Sequence, residues 1–309
     1  MSKLPNYVYI RDMTTRDGFQ MEHKFIPTEE KIKVIDMISD TGIPEQQYTA
    51  FMHPKSIPAL VDAEKVVAGI KRNPQVVYST LVGNKRGLDR AVAAGVKKTE
   101  FVISVTDSHN ISNANCTTEE SLKRLEECVS LGYDITITPS AAVSFGCPFE
   151  GQVPYKRVEW VVEHYVDFGL DELCISDSSG TGNPKLVYET FSKLKNRWPD
   201  KTFVFHGHNT KGMGMANVLA ALEGGATVID TCCAGLGGCP FLPGASGNLA
   251  TEDVVQMLEL MDIKTGVNLD KTIQASRYIA ELVGHHDSVI LRAGKVDDLP
   301  GVCVKRQEH

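Results

Sequence analysis

A short run of β-branched and aromatic residues followed by a longer stretch with apolar residues at helical spacing recurs along this chain, and that rhythm limits its fold more than any other feature. Strand-like runs occupy 7–13, 46–51, 76–82, 99–104, 134–139, 172–177, 202–208 and 227–232. Helical stretches at 28–39, 61–71, 87–94, 118–131, 155–168, 185–197 and 216–223 lie between them. The boundaries carry their own signals. Thr117 and Glu120 have the spacing of a capping box, and Gly132, Gly169 and Gly225 stand where helices stop. Alternating strand and helix implies a parallel sheet, and eight such units in 309 residues predict an α/β fold, a (β/α)8 TIM barrel. A doubly wound open sheet is the competing architecture, but no G-x-G-x-x-G follows the first strand to suggest a dinucleotide site. Two more helical segments, 253–260 and 269–282, exceed the eight-unit count and suit a cover for the barrel or an interface. The expected organisation is therefore one catalytic domain over 1–309, with 253–309 as a C-terminal helical extension.

The charge balance excludes some partners. A net charge of −7 with no basic run argues against nucleic acid, whose phosphates require a positive face. No apolar run is long enough to cross a membrane. The opening residues Met1 to Pro5 lead directly into a strand-like run without the pattern of a leader, so a cytoplasmic protein is expected. The eight cysteines lack C-x-x-C pairing in a chain large enough to need no staples, and they read as reduced packing residues, with Cys239 set apart.

Chemistry in such a barrel gathers at the C-terminal ends of the strands. Polar residues cluster there. His206 and His208 end the seventh run, and side chains two apart on a strand share a face, so both imidazoles can converge on one ion. Taken alone, an H-x-H triplet more often is two unrelated histidines, and Arg16-Asp17 after the first run a surface ion pair; their meeting at one barrel end favours a site. Asp17 offers a carboxylate to a divalent ion, and Asn248 a carbonyl oxygen. Asp12, inside the first run, reads as a partner behind those ligands. Asp177 ends the sixth run, and Gln46 and Gln47 lie on the second. After the eighth run comes a long glycine-rich segment, 234–253, of the kind that forms lids, with Cys239 between Gly238 and Pro240 as a possible acid or base.

Together these pieces resemble the 3-hydroxy-3-methylglutaryl-CoA lyases, members of the metal-dependent lyase and synthase barrels. The resemblance covers nearly the whole chain and is carried by Thr15 to Gln20, Phe145 to Gly151, His206-x-His208, Gly235 to Phe241 and Gly244 to Asp253. It implies a divalent metal ion (Mg2+ or Mn2+), an acyl-CoA substrate, and cleavage of a 3-hydroxyacyl-CoA into acetyl-CoA and a keto acid. A homodimer is also implied. Asp17, His206, His208 and Asn248 match the family's metal ligands. Arg16 matches the arginine that stabilises the enolate oxygen, Cys239 the cysteine of the mobile catalytic loop, and Asp177 an aspartate of the catalytic centre. Gln20 and Gln47, with Arg16, are expected to bind substrate.

The chain departs from the family pattern on its second strand, where the catalytic glutamate is replaced by Gln47 and the serine by Ala50. Glutamine can orient a substrate but cannot exchange a proton. Glu45, on the same face, could substitute only through a shift of the strand. His23 stands where a basic residue is expected, and Asn209 and Lys211 replace acidic and aromatic residues. The leading substrate is 3-hydroxy-3-methylglutaryl-CoA. Alternatives are another branched 3-hydroxyacyl-CoA such as citramalyl-CoA, a condensing acyl-CoA synthase, and a metal-binding scaffold without activity.

Overall fold

A computed structural model describes residues 4–238 and 247–296. Eight parallel strands close into a barrel in sequence order: β1 (Tyr9–Asp12), β2 (Glu45–Ala50), β3 (Val77–Val82), β4 (Lys98–Ser104), β5 (Thr136–Ala142), β6 (Glu172–Asp177), β7 (Thr202–Gly207) and β8 (Val228–Thr231), with β8 pairing back to β1. The expected TIM barrel is the observed fold. Its helices are α1 (Thr28–Ser39), α2 (Ala63–Gly69), α3 (Lys85–Ala93), α4 (Asp107–Ala114), α5 (Thr118–Ser130), α6 (Tyr155–Asp167), α7 (Pro184–Arg197), α8 (Gly214–Glu223), α9 (Thr251–Leu260), α10 (Leu269–Val283) and α11 (Val289–Ala293). None is long and apolar enough to cross a membrane.

Local chemistry explains most boundaries. Thr117 and Glu120 form the expected reciprocal cap of α5. The first strand stops at Asp12 because the chain winds into a wide π-helical turn, Thr14–Gly18, in which Gly18 N–H donates to the Met13 carbonyl five residues back at 3.3 Å. α4 went unread because Ser108, Asn110, Ser112 and Asn113 leave it little apolar periodicity. α9 follows β8 and so occupies the helical half of the eighth unit, leaving α10 and α11 as the elements beyond it. The turn at Cys233–Gly235 packs against α9 and α10, and Ala234 N–H and the Ser276 hydroxyl both donate to Glu252, at 3.2 and 2.8 Å.

The barrel interior is not filled by branched apolar side chains alone. Arg11, with no exposed surface, donates through Nε and Nη2 to both oxygens of Asp230 at 2.7 and 2.8 Å. Its guanidinium also lies 3.6 Å from Glu100 and 3.5 Å from Glu172. Toward the opposite mouth, Lys98 joins Glu45 at 2.7 Å to Glu172 at 2.9 Å. Glu45 is thereby committed to the N-terminal end of the barrel, and the register of β2 on β3 shifts between Gln47 and Thr49. Six described cysteines, at 116, 128, 147, 174, 232 and 233, are buried free thiols.

Candidate active site

The π-helical turn after β1 presents Arg16 and Asp17 at the C-terminal mouth. It is anchored at two points. Asp12 accepts from the Thr14 N–H at 3.0 Å and hydroxyl at 2.8 Å, and the Thr15 hydroxyl donates to the Tyr48 carbonyl at 3.0 Å. Asp12 also accepts from the Thr251 hydroxyl at 3.2 Å, so it fastens the turn that carries Asp17 to α9. The pleat of β7 brings His206 and His208 to the same mouth, and His208 pairs with Asn248 as an isolated bridge. Gly237 permits that approach. Its φ is +110°, and a Cβ there would collide with the Asn248 side-chain nitrogen.

Four expected ligands therefore meet. One atom each from Asp17, His206 and His208 fall within 4.8 Å of one another. The two Nε2 atoms face each other at 3.1 Å, and His208 Nε2 is 3.8 Å from Asp17 Oδ2. Asn248 donates its amide N–H to Asp17 at 2.7 Å, while its Oδ1 is buried with no partner among the described residues. An unpaired buried carbonyl beside two facing imidazole nitrogens and a carboxylate is a donor set that suits a divalent cation. Asp230 completes it from behind by accepting from His206 Nδ1 at 3.2 Å, which keeps the proton there and the Nε2 lone pair toward the cluster.

Electrostatics agree with this arrangement. Burial opposes ionisation of Asp17, but Arg16 and the imidazoles hold it well below the usual carboxylate range. Burial and the neighbouring His206 push His208 down to about 4, leaving a neutral ring. For His206 burial also favours the neutral form, but Asp230 and Asp17 outweigh it and the group is raised.

Arg16 is clamped within this cluster, donating from Nη1 to Asp17 and from Nε to Gln47 Oε1. Gln47 in turn donates from Nε2 to Glu100. Gln47 is thus joined to Arg16 as part of the site. Asp177 is placed differently. Its carboxylate accepts from Thr181 N–H at 3.1 Å, Gly182 N–H at 3.0 Å and the Ser179 hydroxyl at 3.4 Å, all in its own loop. Burial raises it to about 6 despite those bonds. Gln20 follows the turn and keeps a buried Oε1 without a partner among the described residues. Cys239 lies outside the described residues.

Arg11, Glu100 and Asp230 are parts of the site that sequence reasoning missed. A signal was present. A charged side chain inside a strand buried on both faces must find a partner of opposite charge, and three such residues on β1, β4 and β8 could be matched to one another.

Comparison with known proteins places this architecture among lyases. The HMGL-like family model matches residues 7–279. A hydroxymethylglutaryl-CoA lyase of Bacillus subtilis is 42% identical over 91% of this chain and 94% of its own length, and the mitochondrial hydroxymethylglutaryl-CoA lyase of Homo sapiens is 37% identical over 93% and 89%. The solved structure of an HMG-CoA lyase from Acenitobacter baumannii, in complex with coenzyme A and 3-methylmalate, superposes with a TM-score of 0.92 at 37% identity, covering 97% of this chain and 99% of that one. With the family model spanning most of the chain and relatives of 37–42% identity in agreement, the chain belongs to the HMGL-like family.

Proposed function

We propose that this chain is a divalent-metal-dependent carbon–carbon lyase that cleaves 3-hydroxy-3-methylglutaryl-CoA to acetoacetate and acetyl-CoA, acting as one catalytic unit. The observation that carries the reading is the meeting of Asp17, His206, His208 and the unpaired Asn248 oxygen beside a fixed guanidinium, Arg16. The similarity to hydroxymethylglutaryl-CoA lyases, one of them solved with coenzyme A, supports an acyl-CoA substrate. Asp17, His206, His208 and Asn248 would hold Mg2+ or Mn2+, which supplies Lewis acidity that lowers the pKa of a substrate hydroxyl.

The side chains divide the remaining work. Loss of the hydroxyl proton drives cleavage of the adjacent C–C bond, and the electron pair passes to the thioester as an enolate. Arg16 faces the developing negative charge with a donor that needs no reorganisation. Gln47 cannot take up a proton, so its contribution is to hold Arg16 and, with Gln20, to orient the substrate. Asp177, raised to about 6, has a proton affinity suited to exchange near neutrality. Cys239, by its motif, is assigned delivery of a proton to the enolate carbon.

Purified protein with Mn2+ or Mg2+ and 3-hydroxy-3-methylglutaryl-CoA should release acetyl-CoA and acetoacetate in equal amounts. Absence of both products sinks the proposed substrate. Gln47 supports a second reading, a changed acyl group; the same assay with citramalyl-CoA and other branched 3-hydroxyacyl-CoA thioesters separates the two. Incubation of acetyl-CoA with a 2-keto acid tests the condensing direction.

A further inference from the structure

The Gln47 amide is fixed from both sides. Its oxygen receives the Arg16 Nε–H and its nitrogen donates to Glu100 Oε2, with all three side chains buried. A guanidinium only donates, and a carboxylate only accepts, so of the two rotations open to the amide one satisfies both neighbours and the other satisfies neither. Glu100 therefore decides which end of Gln47 meets Arg16. It stands on β4, is 3% exposed, and has the Arg11 guanidinium 3.6 Å from the same oxygen, Oε2, that accepts from Gln47.

We infer that Glu100 is a positioning residue of the lyase: acting through Gln47, it holds the Arg16 guanidinium in place, supplying from β4 the carboxylate that this chain lacks at position 47. Positions 47 and 100 then form a coupled pair. One member must be a carboxylate and the other an amide, because two carboxylates in contact repel and two amides leave the orientation undecided. Exchanging the two residues keeps one of each. In Q47E/E100Q the carboxylate now at position 47 accepts from Arg16 and from the new amide at position 100.

The kinetic part of this inference rests on the lyase reading; the pairing itself does not. The test is a four-cornered cycle of wild type, E100Q, Q47E and Q47E/E100Q. E100Q should lower kcat by about tenfold to a hundredfold, the range expected when a reacting group is misplaced by about an ångström. KM should move less than kcat, since Arg16 serves mainly charge that develops in the transition state while Gln47 also orients the bound substrate. Q47E alone should lower both kcat and Tm. The double variant should regain Tm to within about 2 °C of wild type, a shift worth about 1.3 kcal/mol for a chain of this length, and recover at least about tenfold of the kcat lost in E100Q, the scale of one well-placed interaction. Mn2+ affinity, followed by titration calorimetry, should stay within about threefold in all four proteins, under about 0.7 kcal/mol.

A kcat for E100Q equal to wild type, or strictly additive losses in the double variant, overturns the inference. Recovery of Tm without recovery of kcat also overturns it, because that is the signature of a residue that only supports packing. If E100Q proves insoluble, E100D keeps the charge and shortens its reach; it should fold with a lowered kcat, and an unchanged kcat overturns the inference as well. A wild-type protein that cleaves no 3-hydroxyacyl-CoA defeats the lyase reading instead. The Tm cycle then decides the pairing by itself, with no mutual rescue counting against it.

Discussion

Asp230 touches two charges at once, and its removal reaches the cluster by both routes. It accepts from His206 at 3.2 Å and pairs bidentately with Arg11. Substituting Asp230→Asn should weaken Mn2+ binding by about 10- to 100-fold through loss of the partner that orients a ligand histidine. It should also destabilise the fold by about 3 kcal/mol, the low end for leaving a buried guanidinium short of its main partner, since Glu100 and Glu172 remain nearby. Calorimetric titration and urea denaturation measure the two effects separately. Protons compete with the ion at the same residues. His206 is raised, so metal affinity should fall as pH drops, with protons released as the ion binds. His208, at about 4, should contribute only in stronger acid. A Mn2+ affinity that does not change between pH 8 and pH 6 contradicts this. That Asp17, His206, His208 and Asn248 would meet was legible because they are polar residues at strand ends, where the fold class says to look. Arg11, Glu100 and Asp230 were not, because they lie within strands and their meaning depends on which strands become neighbours.

Among the elements, α9 carries the least ordinary group. Glu252 is fully buried between the turn at Cys233–Gly235 and α10, and burial raises it to about 7 despite its hydrogen bonds. An acid raised in the folded state keeps a proton that the unfolded chain releases. Stability from this group is thus highest below the unfolded value near 4.5, falls as pH rises toward about 7, and levels off above that. Substituting Glu252→Gln should remove this slope. The variant's margin over wild type should grow through that window to about 3 kcal/mol at most, read as the difference between two denaturation curves. A margin that stays constant with pH shows that the carboxyl is ionised in the folded protein. Among the described residues, sequence periodicity found nine of eleven α-helices and all eight strands, since these bury one stripe or both faces. It passed over α4 and α11, one rich in serine and asparagine and the other a single short turn of five residues. The position of α9 in the eighth unit was also missed, because the glycine-rich stretch before it separated the helix from its strand.

At the scale of the whole molecule, the cluster ties β1, β7 and the segment after β8, elements from both ends of the chain. An ion held there closes the barrel seam and should stabilise the fold globally. Mn2+ at a hundred times its dissociation constant should add about 2.7 kcal/mol, and chelation with EDTA should reverse it in a thermal melt. His208→Ala should abolish that response while leaving a folded protein, which circular dichroism can verify. The same seam depends on Arg11 and Asp230, which stand directly opposite each other where β1 pairs with β8. Closing a barrel one residue out of step would turn every side chain of β1 to the other face. Arg11 would then leave Asp230 behind, stripping a buried carboxylate of its bidentate partner and leaving it only His206. The buried ion pair thereby makes the misaligned ring costly, and it sets the alignment on which Arg16 and Asp17, a few residues further along, depend for reaching the histidines.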